Sequence, residues 1–484
     1  MRLRSRTAFL LLAGLMAWVA GAAAQPLPEL GDAAGTAIAP HVERRIGESI
    51  VRDIRHRDPA YLDDPEVNAY LDSLGRRLLA ANSAAHQNFE FFAMRDPAIN
   101  AFALPGGFIG VHTGLLSAAE SESELASVLA HEIAHVTQRH IARLIGAQQQ
   151  MQLPSMVALA AAILLGASRP DLAAGAAAAA QGGMIQQQLS YTREFEREAD
   201  RIGYRSLLDA GFDARAMPGF FEKMQRYGRL GDDGTVPSYL RTHPMTTERI
   251  ADAQGRAANA PYRQYLDSLD FHLVRAKLRA EAGEPRDAVA AFDAAVRERR
   301  FANEMAARYG LVVARLRARQ LPEARSGMAA LRETGAASLM IEMLAARVQQ
   351  TSGDNAGALL TLAQALRRYP GRLPVVYAYV EALQQAGRQA EALAVLADPV
   401  RRHPEDARLR ALQARAHAGL GQRLLQHQAQ AELYVLRGSV PAAIEQLQLA
   451  KAAGDGNFYE LSAVEARLKE LRARHAQDLR DAKR

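Results

Sequence analysis

Two histidines and a glutamate fall within five residues at His131-Glu132-Ile133-Ala134-His135, a spacing that can hold a metal ion and use it. Four residues along an α-helix carry the chain about 40° past one full turn, so His131 and His135 stack on one face and both imidazoles can reach one ion. Glu132 lies beside that pair. Zinc held by neutral imidazoles brings the pKa of water toward neutrality, and a neighbouring carboxylate can take the proton as water attacks a peptide carbonyl. The chemistry is metal-dependent peptide hydrolysis, with Glu132 as general base.

The surrounding pattern predicts a helix. Ser121-Glu122-Ser123-Glu124 has the form of a capping box, and Leu125, Leu129, Ile133 and Val136 then recur at helical spacing. Glu132 falls near that apolar face, where a carboxylate without a partner is costly, so a site accounts for it better than coincidence does. His140, five residues past His135, is expected to point away from the pair, at the surface or in support of the ligands. A catalytic zinc takes three protein ligands, so one more must come from elsewhere. Glu194-Phe195-Glu196-Arg197-Glu198-Ala199-Asp200 opens a second helical segment that runs through Ile202, Leu207 and Leu208 to a stop at Gly211. Glu196 and Asp200 share a face, but the residues alone leave Glu194, Glu196 and Glu198 all open as the ligand. Further on, Pro244 holds His243 extended, just before a helix capped by Thr246 or Thr247.

The histidine motif, followed about sixty residues later by Glu196-Arg197-Glu198-Ala199-Asp200, resembles the peptidase family that contains HtpX, Oma and the CaaX prenyl protease. That resemblance implies a third ligand in Glu196, and in Asp200 a carboxylate that orients a ligand histidine or handles a proton. It implies one zinc ion per chain on His131, His135 and Glu196. The segment from His243-Pro244 to Glu248-Arg249-Ile250 is similar to one that follows the zinc site in soluble members. His243 then either approaches the zinc, as a fourth ligand that keeps the resting enzyme inactive or as a donor to the developing oxyanion, or is a solvated loop histidine.

Arg2, Arg4 and Arg6 precede an apolar run from Ala8 to Ala20, and Ala22-Ala23-Ala24 offers a cleavage site before Gln25, so residues 1–24 read as a secretory signal peptide. The expected destination is the periplasm of a Gram-negative bacterium. No cysteine is present, which excludes disulfides, a lipid attached to cysteine at that site, and thiolate ligands. Without the three leader arginines the formal charge of +6 becomes +3, which is no nucleic-acid footprint.

Past the leader, Ile46, Ile50 and Ile54 mark one amphipathic helix, and Val67, Leu71, Leu74 and Leu78 mark another opened by Asp64-Pro65. Phe89, Phe91 and Ala93 alternate as in a strand, and Asn100 to Val111 reads as a hairpin turning at Gly106-Gly107. Pro105 argues for an edge strand, and an edge beside a zinc helix is where an extended substrate can add through its backbone. Met156 to Gly166 and Leu172 to Ala180 are rich in Ala and Leu. Arg169-Pro170-Asp171 breaks them into pieces too short to span a bilayer, so a buried helical pair is expected, with peripheral contact to a membrane or a nascent membrane protein as the alternative.

Beyond about Pro261, turn glycines recur at Gly283, Gly353, Gly387 and Gly421, with Gly438 half a period on. The spacing of 34 to 35, with Leu321-Pro322-Glu323-Ala324 filling the missing register, is that of tetratricopeptide repeats, which stack into a solenoid that docks peptides or proteins. The expected fold is mostly α: a zinc-peptidase domain of gluzincin type with a small hairpin or sheet over residues 25–260, then a repeat α-solenoid over 261–484. The whole arrangement resembles periplasmic members of the family that work on outer-membrane β-barrel proteins. It implies unfolded or misassembled barrels as clients and an assembly machinery docked on the repeats. A chaperone or adaptor with a latent zinc site is the other class of function, and a cell-wall or lipid hydrolase is a third.

Overall fold

The computed structural model describes residues 38–81, 88–147, 193–230, 238–261, 264–335 and 337–481. The expected leader and the Ala- and Leu-rich stretch between Met156 and Ala180 lie outside these residues.

Helices α1 (Pro40–Arg57) and α2 (Pro65–Ala80) each begin with proline, whose missing N–H costs nothing in a first turn. The Asp64 carboxylate caps α2 by accepting from the backbone N–H groups of Glu66 and Val67. Strands β1 (Glu90–Met94), β2 (Ala101–Leu104) and β3 (Phe108–His112) form one sheet in the order β1-β3-β2, with β1 parallel and β2 antiparallel to β3. The sheet is covered on both sides. Phe92, Met94, Phe102, Leu104 and Phe108 pack with Ile50, Val51 and Ile54 of α1, while Phe91, Ala93, Ala101, Ala103, Ile109 and Val111 join the main core. The hairpin turns where the glycines predict it. Gly106 and Gly107 have φ of 79° and 98°, and a Cβ on Gly106 would lie 2.5 Å from the Arg44 Cα. Strand β2, ending at Pro105, is an edge.

A short helix α3 (Thr113–Ala118) leads into α4 (Glu122–Thr137), which carries the histidine motif. Every residue of α4 from Glu122 to Val136 is buried, so it is a central helix rather than one with a wet face. Ser121 Oγ accepts from the Glu124 N–H as a capping box requires, but the Glu124 carboxylate does not close the box on Ser121. It accepts instead from the Glu120 N–H and from Lys223 Nζ at 2.6 Å.

The chain continues through α5 (His140–Ala147), α6 (Arg193–Asp209), α7 (Ala216–Leu230), α8 (Ser238–Thr242) and α9 (Thr247–Ala258). Helix α6 lies unusually close to α4 at Gly203, where an added Cβ would sit 2.9 Å from the His131 nitrogen and 3.0 Å from the Ala130 carbonyl carbon. That approach sets one face of α6 over the histidines.

Among the described residues, twelve helices run from α10 (Leu269–Glu281), α11 (Pro285–Arg297), α12 (Glu304–Arg317) and α13 (Leu321–Glu333) to the last, Phe458–Asp481. The turn glycines Gly283, Gly353, Gly387, Gly421 and Gly438 all have positive φ. In the missing register the residue is Arg319, held at φ 60°. One apolar core extends from Leu62 to Val348, so the change of sequence character near Pro261 is not a break in packing. The Glu122 carboxylate joins the two parts, accepting from the Tyr70 hydroxyl (3.0 Å), the Tyr265 hydroxyl (2.5 Å) and Ser268 Oγ (2.5 Å). The array also turns back on the N-terminal helices, with Leu373–Gln385 packed on α2 and the Arg52 side chain against Gly438. No helix among the described residues is long and apolar enough to cross a membrane.

Candidate metal centre

His131, His135, Glu196 and His243 are all buried, and each offers one donor atom within 4.8 Å of the others. His131 Nε2 lies 3.0 Å from His135 Nε2 and 3.3 Å from His243 Nδ1. Glu196 Oε1 lies 3.1 Å from His243 Nδ1 and 3.4 Å from His135 Nε2, and Glu196 Oε2 lies 3.5 Å from His131 Nε2. Donors about 2.0–2.2 Å from a tetrahedral zinc stand roughly 3.3–3.5 Å from one another, so these residues fit an ion of that size and its preference for nitrogen and carboxylate oxygen.

Glu132 adjoins the cluster and is fully buried. Neither carboxylate oxygen has a well-aligned hydrogen-bond partner among the described residues, although the Ala103 amide faces it. The register explains that amide: His112 donates to the Asn100 carbonyl, so alternate residues of β2 bond to β3 while Ala101 and Ala103 turn their backbone groups to the edge. His243 has its Nδ1 in the donor cluster and its Nε2 3.4 Å from Glu132 Oε1, so it stands between the two. Tyr239 of α8 stacks on the His243 ring at 4.7 Å.

Each donor is braced from behind. Asp200 Oδ1 is 3.0 Å from His131 Nδ1. Arg249 grips that carboxylate with two bonds, Nε to Oδ2 at 2.7 Å and Nη2 to Oδ1 at 2.8 Å. Its Nη1 is also 2.7 Å from Glu196 Oε2 and donates to the Pro244 carbonyl at 2.9 Å. One buried guanidinium therefore ties both carboxylates to the loop that carries His243, and Thr246 closes that loop by capping α9, accepting the Arg249 N–H. On the other side, His140 Nδ1 lies 2.8 Å from His135 Nδ1.

Charge follows this arrangement. Burial raises the Glu196 carboxyl, but His243 and Arg249 overrule it and hold the group well below the usual range. Asp200 is likewise lowered against its burial, by hydrogen bonding to His131 and Arg249. Burial opposes protonation of His131, yet Asp200 and Glu196 push it up to about 10. His135 is driven well below its ordinary value, chiefly by burial, which leaves the neutral imidazole a metal requires. Burial raises Glu132.

The structure brings together His131, Glu132, His135, Glu196, Asp200 and His243, and it separates the three glutamates left open by the sequence. Glu194 is exposed, and Glu198 turns to His140. His140 takes the supporting place that was one of its two expected ones, but it does not point away from the pair. It is buried against His135, because α4 stops at Thr137 and Arg139 adopts φ 54°, so helical spacing no longer applies five residues on. Arg249 and Tyr239 were not read from the sequence. An arginine in the first turn of a helix, against the helix dipole and next to Ile250, is the signal that was there for Arg249.

A model of peptidase family M48 matches residues 65–257, and a tetratricopeptide-repeat model matches residues 351–416. The chain is 32% identical over 458 residues to the beta-barrel assembly-enhancing protease of Escherichia coli, covering 93% of this chain and 92% of that one. It is 43% identical over 263 residues to a Vibrio cholerae protein that carries the same name provisionally, a match spanning 54% of each chain. Mitochondrial metalloendopeptidase OMA1 of Arabidopsis thaliana is 31% identical over 204 residues, 42% of this chain and 39% of that one.

Proposed function

The chain belongs to peptidase family M48 and is a metalloendopeptidase with a repeat array; from that premise we propose that it holds one zinc ion on His131, His135 and Glu196 and uses Glu132 as its base. Glu132 supports this most directly. A fully buried carboxylate without an aligned partner is costly unless chemistry needs it, and it stands beside four converging donors.

Bound zinc supplies the Lewis acidity that makes water ionisable near neutral pH. Glu132 accepts the proton of the attacking water and returns it to the amine leaving group, a role suited by its raised pKa. Asp200 Oδ1, 3.0 Å from His131 Nδ1, favours the hydrogen on that nitrogen and would leave Nε2 for the ion. Arg249 keeps Glu196 and Asp200 ionised and in place. The position of His243 favours the resting-ligand role over oxyanion donation: Nδ1 lies among the donors, where it would serve as a fourth ligand, and Nε2 lies against Glu132. Turnover then requires His243 to withdraw. An extended substrate is read as adding to β2, where Ala101 and Ala103 offer their backbone groups. All four residues of β2 are buried, so that edge has to be uncovered before a substrate can add to it.

The signal-like residues 1–24 and the assembly-protease names of the relatives support a periplasmic enzyme whose clients are misassembled outer-membrane β-barrel proteins, with the repeats docking the assembly machinery. The capped cluster favours one further reading, an adaptor whose zinc site is latent most of the time. Degradation of an unfolded porin by the mature protein, with and without chelator, tests the first reading, and zinc content tests the ligand set. Glu132→Gln should abolish client turnover while leaving client binding intact; if assembly support also survives unchanged, the adaptor role is the principal one. His243→Ala should raise basal hydrolysis, and a fall would return the residue to oxyanion donation.

A further inference from the structure

The two ligand histidines are braced by different chemistry. His131 meets a carboxylate directly, whereas His135 meets another imidazole. We propose that His140 is a positioning residue for the hydrolysis: it fixes the tautomer and ring angle of His135 and passes that restraint to Glu198 and Arg143. This inference rests on the reading of His135 as a metal ligand.

The proton positions follow from the metal end. His135 Nε2 is the nitrogen aimed at the cluster, 3.0 Å from His131 Nε2 and 3.4 Å from Glu196 Oε1, so its hydrogen is carried on Nδ1. His135 Nδ1 faces His140 Nδ1 at 2.8 Å, a separation at which two ring nitrogens share one hydrogen, and His140 must accept it. The hydrogen of His140 is then on Nε2, which donates to Glu198 Oε2 at 3.1 Å. Arg143 Nη1 donates to the same oxygen at 2.8 Å and fixes the end of the chain.

The ring is also clamped sterically. Phe195 stacks on His140 at 4.6 Å and 12°, and the Arg143 guanidinium covers the Phe195 ring. Phe195 and Glu198 flank Glu196 on α6, so one helix presents a ligand to the cluster and the restraint on its neighbour. The backbone contributes too. Arg139 holds its left-handed conformation with its guanidinium on the buried Glu43 (Nη2 to Oε1, 2.6 Å), and that turn brings His140 back beneath His135. A solvated histidine would need none of this.

The test is zinc affinity of the full chain by chelator competition, together with the visible spectrum of the cobalt-loaded protein. His140→Phe keeps the stack and the volume but removes the acceptor. Its zinc dissociation constant should rise about 10- to 100-fold, its cobalt bands should shift, and kcat should fall with little change in KM. His140→Gln, which restores an acceptor and a donor, should recover most of the affinity. A purely structural role would lower the melting temperature alone, so a folded His140→Phe protein that binds zinc within about twofold of wild type, with an unchanged cobalt spectrum, overturns the proposal. Should that variant fail to fold, Glu198→Leu decides by removing the acceptor of His140 Nε2: a weakened affinity supports the chain of bonds, and an unchanged one refutes it. Wild-type protein that binds no zinc removes the ligand set itself, an outcome distinct from equal binding by wild type and variant.

Discussion

The metal centre and the repeat array are built on opposite principles. In the centre, the polar side chains of His131, Glu132, His135, His140, Glu196, Asp200, His243 and Arg249 are all buried, and most meet one another across long stretches of sequence. In the array the charged groups are largely exposed and pair locally, as Arg388 does with Glu391 and Arg401 with Asp398, while apolar faces stack on their sequence neighbours. The difference teaches where a substitution should be felt. Losing one member of the centre strands a buried charge and its effect spreads, whereas losing one contact in the array costs about what that contact is worth.

The largest expected effect separates chemistry from stability inside the centre. Glu132→Gln should lower kcat about 10²- to 10⁴-fold, the range for loss of a positioned general base. Folding stability should not fall, because no well-aligned bond to the Glu132 carboxylate is lost among the described residues. Urea unfolding beside a peptidase assay checks both, and a destabilised but active variant would reverse the assignment.

Arg249→Met should come next. It removes a guanidinium that is hydrogen-bonded to Asp200 and paired with Glu196, leaving two buried carboxylates without their cation. Breaking a buried pair by deleting one partner costs about 3–5 kcal/mol, and the loss should be seen in metal-free protein by denaturant melts. Zinc should recover part of it, since an ion on Glu196 replaces some of the missing positive charge. An exposed counterpart such as Arg388→Met should leave the denaturant midpoint essentially where it is, because its pair with Glu391 is screened by solvent.

A third substitution probes the packing that assembles the centre. Gly203→Ala places a methyl about 3 Å from the backbone of Ala130 and His131, so α6 must move away from α4. Overpacking of this kind costs about 1–3 kcal/mol. Because the same shift carries Glu196 and Asp200 away from the histidines, zinc affinity should fall with stability. If affinity holds while stability drops, the close approach is not what positions the ligands.

These sites also mark what the sequence could and could not reveal. His131, Glu132 and His135 are legible because their relation is set within one helix by its 3.6-residue turn. Glu196 could not be told from Glu194 or Glu198 without the family resemblance, since the choice depends on which face of α6 meets α4. That choice is made by Gly203, a residue with no chemistry of its own. For His140 the spacing rule gives the wrong direction, because the helix ends at Thr137, and it cannot decide between the surface and a place behind a ligand. The repeats, by contrast, are readable from their turns: glycine recurs at most of the turns where the backbone takes positive φ, and the helices between follow. Local rules were recoverable and long-range partners were not.

Arg319, like Arg299 one turn earlier, departs from glycine in that readable array, and it gives the smallest and most discriminating expectation. It occupies the turn between α12 and α13 at φ 60°, where Gly283, Gly353, Gly387 and Gly421 stand in the other registers. A side chain in the left-handed region costs about 1–2 kcal/mol, and glycine escapes that cost while giving up about 0.5–1 kcal/mol through its freer unfolded chain. Arg319→Gly should therefore stabilise the protein by up to about 1 kcal/mol, and Gly387→Ala, its mirror image, should destabilise it by a similar amount. Both should leave zinc affinity untouched, because no residue of either turn meets the centre. A change in metal binding by either variant would show that the array and the centre are mechanically coupled, through contacts such as Glu122 with Ser268, and that the contrast between the two regions is one of degree.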